Sequence, residues 1–316
     1  MILDLCAGSG MLPLALAEAL PSELGDEVFS VRYAVPRDRA AQRVLEAHEY
    51  RCAPAWDHPT IPLDGVDVVC ASGAFLSQPA TGPADCGAVE PLAALLAVHR
   101  PRIVVWAIPE SVATRGMGLE GRLVADEFQR VMATVSYDVR WCRADAVAVG
   151  ACHRRHWRFA LGVRAEESRF AYAPGGPQGC RSKLKLVATP RPNDGQRSAA
   201  PRRRGRRAGQ FRDTALPVQL AHAAKGDQGL FATIFRAALA RHTKLVGRPF
   251  DVVSDMLDRG REIRPEFYEW LMDWPQDWTA PAGDRAARIR ICGGGVAPDQ
   301  AVAAFEHLAK FVKVPR

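Results

Sequence analysis

The chain opens on a short apolar strand, a glycine turn and an amphipathic helix, in "ILDLCAGSGMLPLALAEAL" (2–20). Three more apolar strands follow, "VFSVRYAV", "VDVVC" and "RIVVWAIP", and each is succeeded by a helical segment. Strands that alternate with helices form right-handed βαβ units, so we expect an α/β fold with a mostly parallel sheet and helices on both faces. Two later segments, "YDVRWCRADAV" and "WRFALGVR", predict a hairpin-like pair at the edge of that sheet.

The first turn is a candidate cofactor site. Asp4, Gly8 and Gly10 lie there between a strand and a helix. Glycines let the backbone approach a ligand closely, and a helix N-terminus favours polar or anionic groups. Folds that bind nucleotides and folds that bind S-adenosylmethionine share this pattern, and a tight structural turn is the alternative.

The composition divides the chain of 316 residues into two parts. From residue 166 Pro, Gly, Arg and Ser become frequent and the periodicity weakens, whereas 263–316 returns to helical patterning. We therefore expect a first domain formed by 1–165 and completed by 263–316, with a loop-rich basic region at 166–262.

The positive charge is concentrated in short clusters. The formal net charge is +7 and the pI is about 9.1. The segment "PRRRGRRAGQFR" (201–212) holds six arginines, and "HRRHWR" (153–158) holds three. Such clusters favour binding to a phosphate backbone, and a solvated loop is the alternative. The candidate DNA-binding residues are Arg202, Arg203, Arg204, Arg206 and Arg207.

The eight cysteines are scattered without a C-x-x-C pair, and the histidines show no metal-ligand spacing. This pattern is typical of reduced thiols in the cytoplasm, without a disulfide framework or a metal site. No apolar run reaches about 18 residues, so we expect no membrane span. The chain also begins directly on a strand rather than on a basic leader, which argues against export.

Five further segments follow the glycine turn in order: "AFLSQP" (74–79), "PESV" (109–112), "GACHRRHWRFALG" (150–162), "IRPEFYEWLMDWPQDWT" (263–279) and "GGGVAPDQAVAAFEHL" (293–308). Together they resemble the motifs of the DNA cytosine-5 methyltransferase family, and "TPRPNDG" (189–195) resembles an element of its phage-borne members. The resemblance implies a Rossmann-like, S-adenosylmethionine-dependent methyltransferase fold with a small target-recognition domain at 166–262. It also implies duplex DNA as the partner.

The family's chemistry assigns roles to three positions. A target cytosine is flipped out of the duplex, and a cysteine thiolate adds to its C6 so that C5 can accept a methyl group. Ser77 stands in the place of that cysteine, Glu110 in the place of the carboxylate that recognises cytosine, and Arg155 in the basic strand that steadies the pocket.

The sequence departs from the family at several of these positions. A serine hydroxyl ionises far less readily than a thiol and needs a nearby base, for which His153 is a candidate. Cys70, Cys86 and Cys152 are alternative nucleophiles, although nothing in their spacing favours one of them.

The cofactor positions are also altered. Cys6 replaces the aromatic residue that packs on the adenine, and Pro36 replaces the acidic residue that binds the ribose hydroxyls. Asp38 and Asp57 remain as acidic candidates for the cofactor, and Gly294 stands in the place of an asparagine in the closing motif.

Two hypotheses follow. In the favoured one the protein is an enzyme that modifies a flipped cytosine, with S-adenosylmethionine as the donor. In the alternative it is a catalytically inactive relative that binds DNA, or the partner subunit of an active methyltransferase. The resemblance places the chain in a bacterial or phage-infected cell.

Overall fold

The computed structural model describes residues 1–20, 26–57, 59–72, 89–114, 116–117, 122–151, 153, 155–165, 242–244, 247 and 263–310. The strands are β1 (Ile2–Ala7), β2 (Arg32–Pro36), β3 (Arg51–Cys52), β4 (Val68–Ser72), β5 (Ile103–Pro109), β6 (Gly116–Met117), β7 (Arg122–Leu123), β8 (Tyr137–Asp145) and β9 (His156–Arg164). The helices are α1 (Met11–Ala19), α2 (Asp26–Ser30), α3 (Arg39–Ala47), α4 (Val89–His99), α5 (Glu110–Ala113), α6 (Val124–Thr134), α7 (Pro265–Leu271), α8 (Arg285–Gly294) and α9 (Pro298–Ala309), and short 3-10 turns lie at Leu63–Gly65, Ala146–Val149 and Ala280–Ala282.

Seven strands form one sheet in the order β3-β2-β1-β4-β5-β9-β8. The five strands from β3 to β5 run parallel to one another, whereas β9 is antiparallel to both β5 and β8. The predicted α/β fold with a mostly parallel sheet is confirmed. The predicted hairpin-like pair is also confirmed, because β8 and β9 lie together at one edge of the sheet.

Successive side chains of each strand point to opposite faces of the sheet. In β5, Ile103, Val105 and Ala107 pack on the same side as α1 and α9. Val104, Trp106 and Ile108 pack on the side of α4 and α6. Helices therefore cover both faces.

The C-terminal segment packs directly on the sheet. Gln300 Nε2 in α9 donates to the carbonyls of Ala144 and Arg155, each at 2.8 Å. Phe305 meets Phe159 of β9 edge to face, with ring centroids 5.6 Å apart, and both rings are fully buried. Burial of a phenylalanine contributes about 1.5–3 kcal/mol, so α9 is a substantial part of the core.

A buried ionic network connects α7, α8 and the segment between them. The Glu269 side chain of α7 is fully buried and accepts from the backbone N–H groups of Asp277 and Thr279, both at 2.8 Å. Arg288 of α8 donates to Glu269 and to Glu266, at 3.2 and 2.7 Å. The buried Glu269 charge is thus paired with Arg288, and it also bonds the backbone of Asp277 and Thr279 to α7.

No helix among the described residues is long and apolar enough to cross a membrane. The predicted loop-rich region lies almost entirely outside the described residues, so the domain boundaries remain a prediction.

Candidate functional site

The carboxyl ends of the parallel strands define the functional edge. Ser72 at the end of β4 is paired with Ala107 of β5, and Leu5 of β1 is paired with Val35 of β2 and Ala71 of β4. The segments that leave these strands therefore start at one edge of the sheet, where α/β folds bind their ligands. They are the glycine turn, the residues that follow β2, the residues that follow Ser72 and the helix that begins at Glu110.

The glycine turn has room for a ligand at Gly8 and a tight fit at Gly10. A Cβ on Gly8 would meet no atom within 4 Å. Gly10 precedes α1 in the left-handed conformation (φ 74°), and a Cβ there would lie 2.9 Å from the Tyr50 ring. The Tyr50 hydroxyl donates to the Gly10 carbonyl at 2.7 Å. Gly10 is thus required by the local structure, whereas Gly8 borders open space.

β1 ends irregularly just before this turn. The pairing with β2 shifts at Cys6, which adopts a left-handed conformation (φ 50°) unusual for a residue with a side chain. Such bulges bend a strand and re-aim its end, and they are frequent beside active sites. Burial, followed by the charge of Asp4, raises the pKa of the Cys6 thiol to about 11. Cys6 is therefore a neutral thiol and not a reactive thiolate.

Asp4 is an unpaired acidic group in the middle of β1. Its side chain is only 2% exposed, and Oδ1 has no hydrogen-bond partner. Burial raises the pKa of its carboxyl well above the ordinary value. A buried polar oxygen without a partner is costly, so Asp4 is a candidate acceptor for a ligand.

Asp38 is occupied by the protein itself. Its Oδ1 accepts from the Ala41 N–H at 2.9 Å and so caps α3, and its Oδ2 accepts from Arg290 at 3.1 Å. Burial acts to raise the pKa of this carboxyl, but the Ala41 N–H, Arg290 and Arg37 together hold it below the ordinary value. Each carboxyl oxygen of Asp38 thus already accepts one hydrogen bond from within the protein.

Asp57 and Gly294 differ in their surroundings. Asp57 is exposed in the segment after β3, and no hydrogen bond between described residues connects it to the glycine turn. Gly294 ends α8 beside the crevice, and a Cβ on it would lie 2.7 Å from Nη1 of Arg37. The next residue, Gly295, lies near Ser9 of the glycine turn.

Glu110 forms a two-point ion pair at the functional edge. Arg158 of β9 donates from Nε at 2.7 Å and from Nη2 at 3.0 Å to the two carboxylate oxygens. The side chains of Arg158 and Glu110 are 30% and 21% exposed, so the pair is accessible from outside. The hydrogen bond to Glu110 raises the pKa of Arg158.

Arg155 lies elsewhere, close to the end of α8. Its guanidinium donates to the carbonyls of Cys292 and Gly293, at 3.2 and 2.8 Å. A cation at the C-terminus of a helix stabilises its last carbonyls. The structure therefore brings Glu110 together with Arg158 and not with Arg155, which holds the closing glycines in place.

The remaining predicted residues are described only in part. Ser77, Cys86, Cys152 and the predicted DNA-binding residues Arg202, Arg203, Arg204, Arg206 and Arg207 lie outside the described residues. Cys70 is fully buried in β4, and burial raises the pKa of its thiol. His153 is also buried and donates from Nε2 to the Leu271 carbonyl at 2.8 Å, while its Nδ1 has no hydrogen-bond partner.

Tyr50 and Trp278 hydrogen-bond to the glycine turn, and Trp274 hydrogen-bonds to the residue after Gly295. Besides Tyr50, Trp278 donates from Nε1 to the Ser9 carbonyl at 2.9 Å, and Trp274 donates to the Val296 carbonyl at 2.9 Å. The segment "DWPQDWT" thus fixes the turn and the closing glycines relative to each other. The described residues contain no cluster of His, Cys, Asp or Glu that could hold a metal ion.

Comparison with solved structures identifies the class of fold. The chain matches a protein described as a DNA modification methyltransferase encoded within an E. coli prophage, with a TM-score of 0.52, 15% identity and 98% of each chain covered. It matches a mutant of Spodoptera frugiperda DNMT2 with a TM-score of 0.50, 12% identity and 98% of each chain covered. It also matches the S. pombe Dnmt2 methyltransferase with a TM-score of 0.53 and 10% identity, over 98% of this chain and 97% of the other.

These likenesses confirm the fold that the sequence resemblance implied: the chain has a Rossmann-like methyltransferase fold. No family model matches the sequence, and no curated protein matches it significantly.

The described residues suit the two ends of S-adenosylmethionine unequally. At the glycine turn, the open space at Gly8 and the unpaired oxygen of Asp4 suit the amino-acid part of that cofactor. At the end of β2 Pro36 offers no acceptor for a ribose, and each oxygen of Asp38 already accepts one hydrogen bond from the protein. The described residues therefore offer more to this cofactor at the glycine turn than at the end of β2.

Proposed function

We propose that the protein acts on a cytosine flipped out of duplex DNA, and that Glu110 and Arg158 bind this base together. The observation that carries the proposal is the two-point Glu110–Arg158 pair at the functional edge of a methyltransferase fold. β4 ends at this edge with Ser72, five residues before Ser77 in the sequence.

The pair is complementary to the edge of a cytosine. The base presents an amino donor at N4 and acceptors at N3 and O2. The Glu110 carboxylate can accept from N4 and supports a proton at N3 as positive charge develops there. Arg158 uses Nε and Nη2 for Glu110, and its Nη1 makes no hydrogen bond among the described residues, so it can donate to O2. Uracil has its donor and acceptor reversed at positions 3 and 4 and would bind less well.

Ser77 is the proposed nucleophile, and S-adenosylmethionine is the proposed donor. This cofactor, bound at the glycine turn, would supply a methyl group. A serine needs a base to become nucleophilic, and His153 is held by the Leu271 carbonyl in the core instead. Because His153 is buried, we propose that the base is another residue, the DNA or water.

The arginines from 202 to 207 are proposed to contact DNA phosphates. Such contacts position a protein on the duplex without reading its sequence, and they make binding depend steeply on salt. Neutralising them should weaken binding to all duplexes alike.

A second candidate is an inactive DNA-binding protein or the partner of an active subunit. Two features favour it, namely the serine at the nucleophile position and Pro36, which offers no acceptor for a ribose at the end of β2. In this case Glu110 and Arg158 would still bind the base, without a reaction following.

The test is mass spectrometry of nucleosides from DNA of cells that express the wild type, Ser77→Ala, Glu110→Gln or no protein. Glu18→Gln is the matched control, because Glu18 is exposed near the far end of α1. The enzyme hypothesis predicts a modified cytosine with the wild type and the control, and its loss in the other two variants. A modification that survives Ser77→Ala but not Glu110→Gln would indicate another nucleophile. Identical DNA from all samples would favour the binding protein.

A further inference from the structure

A cluster of three polar side chains lies beside the Glu110–Arg158 pair. It consists of Arg143 and Asp145 of β8 and His156 of β9. In the antiparallel pairing of these strands, Asp145 lies directly opposite His156, and Arg143 lies directly opposite Arg158. Directly opposed residues share one face of a sheet, and β9 begins beside the end of β5. The cluster therefore lies at the functional edge, on the same face as Arg158.

The contacts of His156 determine which of its ring nitrogens carries the proton. Nδ1 lies within hydrogen-bond distance of Oδ1 of Asp145, and an ionised carboxylate can only accept. Nδ1 therefore donates to Asp145, and the neutral ring has its free lone pair at Nε2. No hydrogen bond between described residues engages Nε2, and the side chain is 41% exposed. Nε2 can thus meet a ligand, as an acceptor on the neutral ring and as a donor on the protonated ring.

Arg143 is held less well than the arginine opposite it. Its Nε lies 3.5 Å from Oδ1 of Asp145, which is longer than a normal hydrogen bond. Its Nη2 lies 3.2 Å from Nδ1 of His156, but that nitrogen already donates to Asp145 and cannot also accept. Like charges directly opposite each other in a sheet are destabilising, and Arg143 faces Arg158 in this way. An anion that accepts from Arg143 would reduce this repulsion.

Protonation of His156 changes the charge of this part of the edge. Five charged side chains of the described residues act on the cluster from β8, β9, α5 and α6: Arg143, Asp145, Arg158, Glu110 and, with a weaker effect on Arg158 than Glu110 has, Asp126. Each of the two arginines is already in contact with one carboxylate. A proton on His156 therefore makes the cluster more positive and turns Nε2 into a donor, and both changes favour an anion.

We propose that His156 and Arg143 bind the phosphate of the flipped nucleotide, and that His156 takes up a proton from water when it does so. The inference rests on the proposed function, in which Glu110 and Arg158 bind the base. Along the edge of a cytosine, N4 and N3 are followed by O2 and then by N1, which carries the sugar. Across the sheet, Glu110 after β5 is followed by Arg158 of β9 and then by Arg143 of β8. A base bound by the first two residues therefore directs its sugar and phosphate towards the third.

The test is fluorescence anisotropy of the full-length protein with a labelled duplex that contains one mismatched cytosine, because a mismatched base is flipped at low cost. Affinity is measured at constant salt between about pH 6 and about pH 8, where an imidazole changes its charge. The wild type should bind roughly tenfold more tightly at the lower pH, since binding and proton uptake are linked. His156→Gln should abolish this dependence and bind at both values about as weakly as the wild type does at the higher pH.

Matched variants separate this contact from the general effects of charge. His99→Gln should keep the pH dependence, although His99 also lies near a carboxylate, that of Asp64 at 3.5 Å, because it ends α4 before the start of β5, away from the functional edge. Arg143→Gln should weaken binding several-fold at both pH values. Arg130→Gln removes the same charge from a side chain of nearly equal exposure on α6, 53% against 51%, and should bind like the wild type.

Three results would overturn the inference. They are an unchanged pH dependence in His156→Gln, equal effects of Arg143→Gln and Arg130→Gln, and no binding of the wild type to the duplex at either pH. Recognition of the base is measured separately, as the preference of the wild type for the mismatched duplex over a fully paired one and the loss of that preference in Glu110→Gln. If this preference is missing while the dependence on His156 remains, the base contact is refuted and the phosphate contact stands.

Discussion

The Glu110–Arg158 ion pair should make a modest contribution to the free energy of unfolding, and its loss should impair function more than stability. The two hydrogen bonds are 2.7 and 3.0 Å long, and the side chains are 21% and 30% exposed. Buried hydrogen bonds to charged groups contribute roughly 1.5–3 kcal/mol each, whereas exposed ion pairs contribute about 0–1 kcal/mol. With about a quarter of each side chain exposed, we expect a coupling energy of about 1–2 kcal/mol.

The coupling can be measured by a double-mutant cycle with Glu110→Gln and Arg158→Met. Urea unfolding of the four proteins, followed by tryptophan fluorescence, gives the free energies of unfolding. The Glu127–Arg130 pair on α6 is the control, because it is also two-pointed but its arginine is 53% exposed. Its coupling should be about 0.3–0.5 kcal/mol. A coupling for Glu110 and Arg158 within about 0.5 kcal/mol of zero would refute the pair as a preorganised unit.

Three further predictions concern the core and the crevice. Gly295→Ala should destabilise the protein by about 1–3 kcal/mol, because the added Cβ would overlap the buried Trp274 ring. Gly293→Ala is the control and should be tolerated, because a Cβ there has no neighbour within 4 Å. The pKa of His153 is lowered to about 3, chiefly by burial. Below about pH 6.5 this histidine therefore binds a proton in the unfolded chain but not in the folded protein. The free energy of unfolding should fall by up to about 1.4 kcal/mol for each pH unit between about pH 6.5 and pH 3. His153→Gln should reduce that dependence on pH. Asp4→Asn should stabilise the protein, more so at pH 7 than at pH 4, since the raised pKa of Asp4 makes its ionisation unfavourable to folding, and should weaken ligand binding at the glycine turn.

Each of these predictions has a contrary result. Equal stability of the two alanine variants would show that the tryptophan ring moves aside. An unchanged acid slope in His153→Gln would assign the loss of stability to other groups. Destabilisation by Asp4→Asn at pH 7 would mean that the ionised carboxylate has a partner in the folded protein.

The sequence predicted the sheet because apolar runs, helical segments and glycine turns agree along the first half of the chain. One boundary differs from the prediction. The second strand was expected from Val28, but residues up to Ser30 close the short helix α2 and the strand starts at Arg32. The alternating apolar pattern does not distinguish these cases, since Val28 is buried as part of the helix.

The site was harder to predict, because it depends on which way side chains point. The resemblance gave the pocket role to Arg155, which precedes β9 and reaches α8. Within β9, alternation sends Trp157 to one face of the sheet and Arg158 to the opposite face, towards Glu110. The sequence could have signalled Asp38 as a helix cap, because aspartate directly before a helix is a preferred N-cap.

The contact of Arg37 with Gly294 could not be predicted, since it joins distant segments through the packing of α8 beside β2. Neither Gly294, which stands in the place of an asparagine, nor Arg37, which follows a strand, indicates such a contact in the sequence. Only the folded arrangement shows that one occupies the space left by the other.

The most direct test of the central claim is selection of duplexes from a random library, followed by 2-aminopurine fluorescence at each position of the selected site. The claim that Glu110 and Arg158 bind a flipped cytosine holds for an enzyme and for a binding protein alike. It predicts one essential cytosine and a rise in fluorescence when 2-aminopurine is placed next to that cytosine. Glu110→Gln should lose the preference for cytosine and keep its affinity for duplex DNA in general. A selected site without an essential cytosine, or an unchanged preference in Glu110→Gln, would contradict the claim.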